Sequence, residues 1–131
     1  MSVAETPGVV EQMLDHAANG RWDALREVLD PEFEIVEPES LPYGGVHRGV
    51  SGYVSLMKEI GELFDLDFQR VGLDALGEEL VILRMFVTFT ARSGRRSVRL
   101  PVVELLQVRG SRVRRSEVYI SDTAALLEAL A

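Results

Sequence analysis

Two glutamates stand where the sequence pattern asks for apolar residues. In Phe33-Glu34-Ile35-Val36-Glu37, the period-2 alternation that turns Phe33 and Ile35 inward turns Glu37 inward with them. Along 98–109, one face collects Val98, Leu100, Val102, Glu104, Leu106 and Val108, and Glu104 is its single polar member. A carboxylate among such neighbours is costly unless it is hydrogen-bonded, paired with an arginine, or kept protonated by a raised pKa. Two carboxyl groups whose surroundings separate their pKa values can divide acid–base work, one taking a proton while the other donates a hydrogen bond. The competing reading makes each a rim residue or an internal ion-pair partner.

Other polar groups could join them. His47 follows a glycine-rich loop and could shuttle a proton near neutral pH, or simply face solvent. His16 lies beside the apolar stripe of the first helix and reads as a boundary residue. Tyr43 and Tyr119 could each offer a hydroxyl to a substrate oxygen. Met13 and Met57 are candidate pocket-lining groups that packing alone would also explain. Asp122 precedes Thr123-Ala124-Ala125-Leu126 and is placed to cap a helix.

These residues need elements to hold them. Val9, Val10, Met13, Leu14 and Ala17 recur at helical spacing after Pro7, and Asn19-Gly20 ends that helix. Trp22, Leu25, Val28 and Leu29 predict a second short helix, closed by Asp30-Pro31 and forming a hairpin with the first. A strand runs to Glu37 and stops at Pro38. Residues 38–49 read as a loop or short ribbon, and a third helix spans about 51–64. Strands follow at about 66–75, 80–92, 97–109 and 112–121, with turns at Gly77-Glu78, Ser93-Gly94 and Gly110-Ser111, before a short C-terminal helix. Helices first and an antiparallel meander last predict one α+β domain over residues 1–131, with helices covering one face of a curved sheet and a small-molecule pocket enclosed between them.

Composition excludes several other chemistries. The 131 residues contain no cysteine, which removes disulfides, thiolate metal sites and cysteine nucleophiles. Two histidines are too few for a histidine-based metal cluster, and no glycine-rich phosphate loop is present, so no metal or cofactor is expected. No apolar run approaches the roughly 20 residues of a membrane span, and the N-terminus is acidic, so the expectation is a cytoplasmic protein without membrane contact. The net charge of −7 argues against nucleic acid. That charge is uneven: residues 1–80 hold 17 acids and 5 bases, residues 81–131 hold 4 acids and 9 bases. The expectation is that the arginines of the meander face outward and pair, across a two-fold interface, with acids in the N-terminal half of a second copy.

The segments 30–38 (DPEFEIVEP), 41–49 (LPYGGVHRG) and 119–123 (YISDT) resemble the SnoaL-like branch of the nuclear transport factor 2-like superfamily, and the similarity extends over nearly the whole chain. The resemblance implies a cone-shaped α+β roll and a homodimer joined through the exposed sheet face. The superfamily holds ketosteroid isomerases, polyketide cyclases, epoxide hydrolases, dehydratases and non-catalytic binding modules, so fold alone does not choose among them. By resemblance to the isomerases, Glu37 takes the place of their general-base aspartate. Glu104 takes that of their protonated aspartic acid if one extra residue follows Pro101; without that insertion Val103 would stand there. Met13 replaces their oxyanion tyrosine. Asp122 resembles the acid/base aspartate of the polyketide cyclases. The implied function is cofactor-independent acid/base chemistry of isomerase or cyclase type on an apolar, carbonyl-bearing ligand, with Tyr43, His47, Tyr119 and Asp122 lining or gating the mouth. The alternative is a ligand-binding or dimerisation module in which arginines such as Arg84 or Arg99 neutralise both glutamates.

Overall fold

In the computed structural model, which describes residues 6–131, α1 (Thr6–Ala18) buries Val9, Val10 and Met13 on the stripe that its spacing predicts. The acidic stretch 1–5 lies outside the described residues. Gly20, at φ +67°, ends the helix: the Arg21 N–H donates to the His16 carbonyl (2.9 Å) and the Gly20 N–H to that of Ala17 (3.3 Å). A glycine takes this left-handed position without a Cβ penalty.

The expected second helix shrinks to one turn, α2 (Leu25–Val28), and the chain is already extended at Leu29. Pro31 is therefore a residue of β1 (Leu29–Glu37) rather than a helix stop. Lacking an N–H, it cannot donate to a ladder, and the pairing of β1 with the last strand shifts register between Leu29 and Glu34. The Asp30 carboxylate instead accepts the neighbouring Glu32 N–H at 2.8 Å.

The ribbon strand β2 (Gly45–Arg48) leads into α3 (Gly49–Leu63), followed by β3 (Phe64–Leu76), β4 (Leu80–Ala91), β5 (Ser97–Arg109), β6 (Arg112–Ile120) and α4 (Thr123–Leu130). The strands form one curved open sheet in the order β2-β1-β6-β5-β4-β3. Every neighbouring pair is antiparallel except β1 with β6, which run parallel. This is the α+β architecture that the order of elements implies. β4 lies between β3 and β5, an interior strand of the sheet.

The core lies between the inner face of the sheet and the helices α1 and α3. Phe33 packs edge-on against Tyr53 of α3, with centroids 5.9 Å apart at 80°, and Phe64 against Phe89 at 5.4 Å and 72°. Both arrangements suit the quadrupoles of the rings. Each fully buried side chain of this kind contributes roughly 1.5–3 kcal/mol.

One irregularity matters later. The pairing of β3 with β4 slips between Arg70 and Gly72, leaving Val71 as an extra residue. Arg70 pairs with Met85 on the inner face, so Leu66, Phe68 and Arg70 face inward before the slip and Leu73, opposite Leu83, faces inward after it.

Candidate functional site

The register of the sheet brings the two glutamates together. Glu104 on β5 pairs with Val118 on β6, and Val36 on β1 pairs with Glu117 on β6. Glu37 therefore falls in the row of Glu104, with Val118 between them. Two inter-strand spacings separate their backbones by about 10 Å, and both side chains rise from the same inner face. Glu37 is 5% exposed and Glu104 8%.

They share one cavity of about 480 Å³, walled by Ile35, Met57, Leu83, Phe89 and Val102 among other apolar residues. Among the described residues neither glutamate has a basic partner. Arg84 is exposed on the opposite face of β4. Arg99 lies over the Phe86 ring at 4.0 Å and donates to Gln69. The arginine neutralisation expected under the binding-module alternative is thus not how the pair is accommodated.

Their surroundings differ in one respect. The Ser116 hydroxyl, fully buried on β6, donates to Glu104 Oε1 at 2.5 Å. Glu37 has no such donor among the described residues. Burial pushes the Glu104 carboxyl up, and the Ser116 hydrogen bond works against that rise by favouring the charged form. Burial, with the charge on Glu104 adding to it, pushes Glu37 up from 4.5 to about 8. Of the two, Glu104 alone has a hydrogen bond that favours its charged form, and Glu37 has none among the described residues.

Two tyrosines complete the polar lining. Tyr43 is delivered by the loop after β1, where the Leu41 N–H donates to the Pro38 carbonyl (3.1 Å) and the Gly44 N–H to that of Leu41 (2.9 Å). A Cβ on Gly44 would sit 2.3 Å from the Pro38 oxygen, so only glycine permits this fold-back. Tyr53 comes from α3 and is 5% exposed. No hydrogen bond engages either hydroxyl among the described residues. Burial raises both phenols, with Glu37 adding to Tyr43, and Glu104 and then Glu37 adding to Tyr53. Tyr53 was not among the residues that the sequence singles out. At helical spacing with Leu56 and Ile60 it is indistinguishable from a core aromatic.

The remaining candidates fall elsewhere. Met57 lines the cavity, but Met13 is sealed in the core under α1. The His47 ring fastens its own loop, with Nε2 donating to the Tyr43 carbonyl at 2.7 Å, and it does not line the cavity. Tyr119 stands on the outer face of β6, one residue from the inward Val118, and donates to Glu117 at 2.7 Å. Asp122 caps α4, accepting the Ala125 N–H at 3.1 Å, outside the cavity. No group of three or more histidine, aspartate and glutamate side chains suited to a metal ion occurs among the described residues. No helix among them is long and apolar enough to cross a membrane.

Comparison with known proteins gives this geometry a setting. Residues 10–116 match the profile of the SnoaL-like domain. No curated protein sequence matches the chain. Among solved structures, a nuclear transport factor 2-like protein of Burkholderia xenovorans LB400 is 27% identical, with a TM-score of 0.91 over 100% of this chain and 99% of that one. A protein of Jannaschia sp. CCS1 described as a SnoaL-like polyketide cyclase is 16% identical, with a TM-score of 0.81 over 97% and 92%. TerC, crystallised with polyporic acid, is 20% identical, with a TM-score of 0.78 over 93% and 97%.

Proposed function

The chain belongs to the SnoaL-like domain family, and on that premise we propose that it binds an apolar, carbonyl-bearing small molecule in the inner cavity and performs cofactor-independent acid–base chemistry on it. The observation that carries this reading is a pair of buried glutamates, without a basic partner among the described residues, sharing an apolar cavity of about 480 Å³. A structural ion pair would not leave two acids unpaired in this way, whereas an acid and a base serving one ligand would. That TerC was crystallised with polyporic acid is in keeping with a ring-shaped ligand.

In this reading Glu104, its charge supported by Ser116, takes a proton from the carbon next to the carbonyl. Glu37, holding the shared proton, donates a hydrogen bond to the carbonyl oxygen as negative charge develops there. Glu104 then returns its proton to the ligand, at the same carbon or at another. These roles reverse those implied by resemblance to the isomerases, and the reversal rests on the Ser116 hydrogen bond. The free hydroxyls of Tyr43 and Tyr53 are further donors for ligand oxygens, in a site where Met13 supplies none.

The outer sheet face is proposed as the interface of a homodimer. Tyr119 and Leu76 are exposed there, and Arg84, Arg109 and Arg112 make no ion pair among the described residues. Sedimentation at low and high salt tests it: a dimer that weakens with salt supports pairing by these arginines, and a monomer at low salt refutes the interface.

Exchange of the α-protons of a panel of cyclic ketones for deuterium, followed by NMR, tests the chemistry even before the substrate is identified. The expected result is exchange by the native protein that Glu104→Gln abolishes and Glu37→Gln slows. Exchange at the native rate in both variants would falsify the catalytic reading and leave a binding module.

A further inference from the structure

The cavity opens between α1 and β3, and its mouth carries a single cationic side chain. Glu11, Leu14, Asp15, Ala17 and Ala18 of α1 form one lip, with Asp15 paired to Arg21; Leu66, Phe68 and Arg70 of β3 form the other. Phe68 is 61% exposed although it lies on the inner face, so this part of the strand is uncovered. Arg70 is the last inward residue before the slip at Val71, and the bulge aims it across the opening. Its Nη1 donates to Glu11 Oε1 on the facing lip at 2.6 Å. Nothing else engages its guanidinium among the described residues, and the side chain is 43% exposed.

We propose that Arg70 anchors an anionic group, a carboxylate or its equivalent, at the outer end of the ligand whose carbonyl reaches Glu37 and Glu104. The proposal rests on the cavity reading given above. Three observations lead to it. First, the floor of the cavity holds Glu37 and Glu104 with no cation among the described residues, so a negative substituent is better placed at the mouth, beside Arg70. Second, Arg70 is the one cation lining the cavity among the described residues, and its unused guanidinium edge matches a carboxylate in a two-point arrangement. Third, Glu11 holds it only through a half-exposed ion pair, an interaction typically worth about 0–1 kcal/mol, which a ligand carboxylate can share or displace. Phe68, two residues along the same face, supplies an apolar platform beside the cation.

Register separates the two ends of such a ligand. Arg70 lies in the row of Met85 and Val102, and Glu104 lies two residues further along β5, in the row of Leu83. Two strands across and two residues along place the backbone of Arg70 about 12 Å from that of Glu104. A ligand that touches both side chains therefore has its anionic group and its carbonyl at separate ends.

The test compares a naphthyl ketone carrying a terminal carboxylate with its methyl ester, by titration calorimetry. The native protein is expected to bind the acid at least tenfold more tightly than the ester. Arg70→Gln should remove that preference while leaving ester affinity within about twofold. Glu11→Gln, which frees Arg70, should strengthen binding of the acid severalfold. The opposite signs separate an anchor from a strap: a pair that merely ties α1 to β3 would make both variants weaken both ligands alike, overturning the proposal. Weakening by Glu11→Gln with strengthening by Arg70→Gln would also overturn it, by assigning a cationic group to the mouth. If the native protein binds the ester but gains nothing from the acid, the anchor falls and the cavity reading stands. If it binds neither, both fall. Unchanged thermal unfolding of the two variants, expected for a half-exposed pair, confirms that the readout is binding.

Discussion

The two faces of one sheet treat the same residue in opposite ways. On β1, Glu34 faces outward and Glu37 inward, three residues apart. Glu34 accepts from Arg115 at 2.7 Å and from Arg48 at 3.1 Å. Glu117, outward on β6, accepts from Tyr119 and from Arg115, and is held below the usual carboxylate range chiefly by the Tyr119 hydroxyl, with Arg115 adding to it. Among the described residues Glu37 and Glu104 have no basic partner, and burial raises both. The outer face stabilises negative charge by supplying partners, whereas the inner face suppresses it by keeping a proton. Ionised acids there help to fix strands in place; the inner pair is the one that the proposed chemistry uses.

The largest effect should come from removing the charge that the inner face does retain. Glu104→Gln should lower deuterium exchange by about 10²–10⁴-fold, the range typical of a positioned acid or base. An effect of similar size from Glu34→Gln would erase the distinction between the faces.

Next in size is the dependence of stability on pH. A carboxyl whose pKa rises from 4.5 unfolded to about 8 folded makes the native state bind more protons between those values. Its contribution is complete below about pH 4.5 and drains away as the pH climbs to about 8, by several kcal/mol in all. Chemical denaturation across that range should show the decline, and Glu37→Gln should flatten it and be the more stable protein at pH 8. The outer acids act with the opposite sign. Glu117 and Asp65, both lowered, support the fold above the acid range and lose that support as pH falls through it.

A smaller change tests the one donor on the inner face. Ser116→Ala should destabilise by about 1–3 kcal/mol, the cost of stranding a buried hydrogen-bonding group. It should also move the pH at which exchange activity appears upward, because Glu104 loses the bond that favours its charge. A profile that stays in place would mean that the serine serves packing alone.

Smallest of all, Arg115→Ala should cost no more than about 1 kcal/mol, less in high salt, since pairs near the surface are weakly stabilising and screened.

How much of this was legible in the sequence follows from what a linear pattern can encode. Glu37 and Glu104 were, because alternation in a strand assigns each residue to a face and both broke an apolar row. The fold was, because helical spacing over 9–17 and 53–60 and strand alternation over most of the chain after residue 65 are distinct patterns. The length of α2 was not: Trp22, Leu25 and Val28 keep helical spacing, but Leu29 joins a strand whose partner is more than 80 residues away. Tyr53 was hidden because a helical stripe does not reveal where the core stops and empty volume begins. Asp122 was over-read, since one residue type serves both capping and acid–base chemistry. Tyr119 was named for its hydroxyl alone, and that hydroxyl is taken up on the outer face by Glu117. The charge asymmetry led to a partner chain, yet much of it is balanced within the molecule, where Arg92 and Arg95 reach Asp65, Arg114 reaches Glu32 and Arg115 reaches Glu34.

The parallel seam between β1 and β6 has a consequence in time rather than in space. β1 precedes β6 by about 80 residues, and contacts across the seam link residues as far apart as Glu34 and Arg115. Until β6 docks, the side chain of Glu37 is bathed in water and titrates as an ordinary acid. Closing the seam seals it in and draws a proton from solution, so at neutral pH folding is coupled to a protonation.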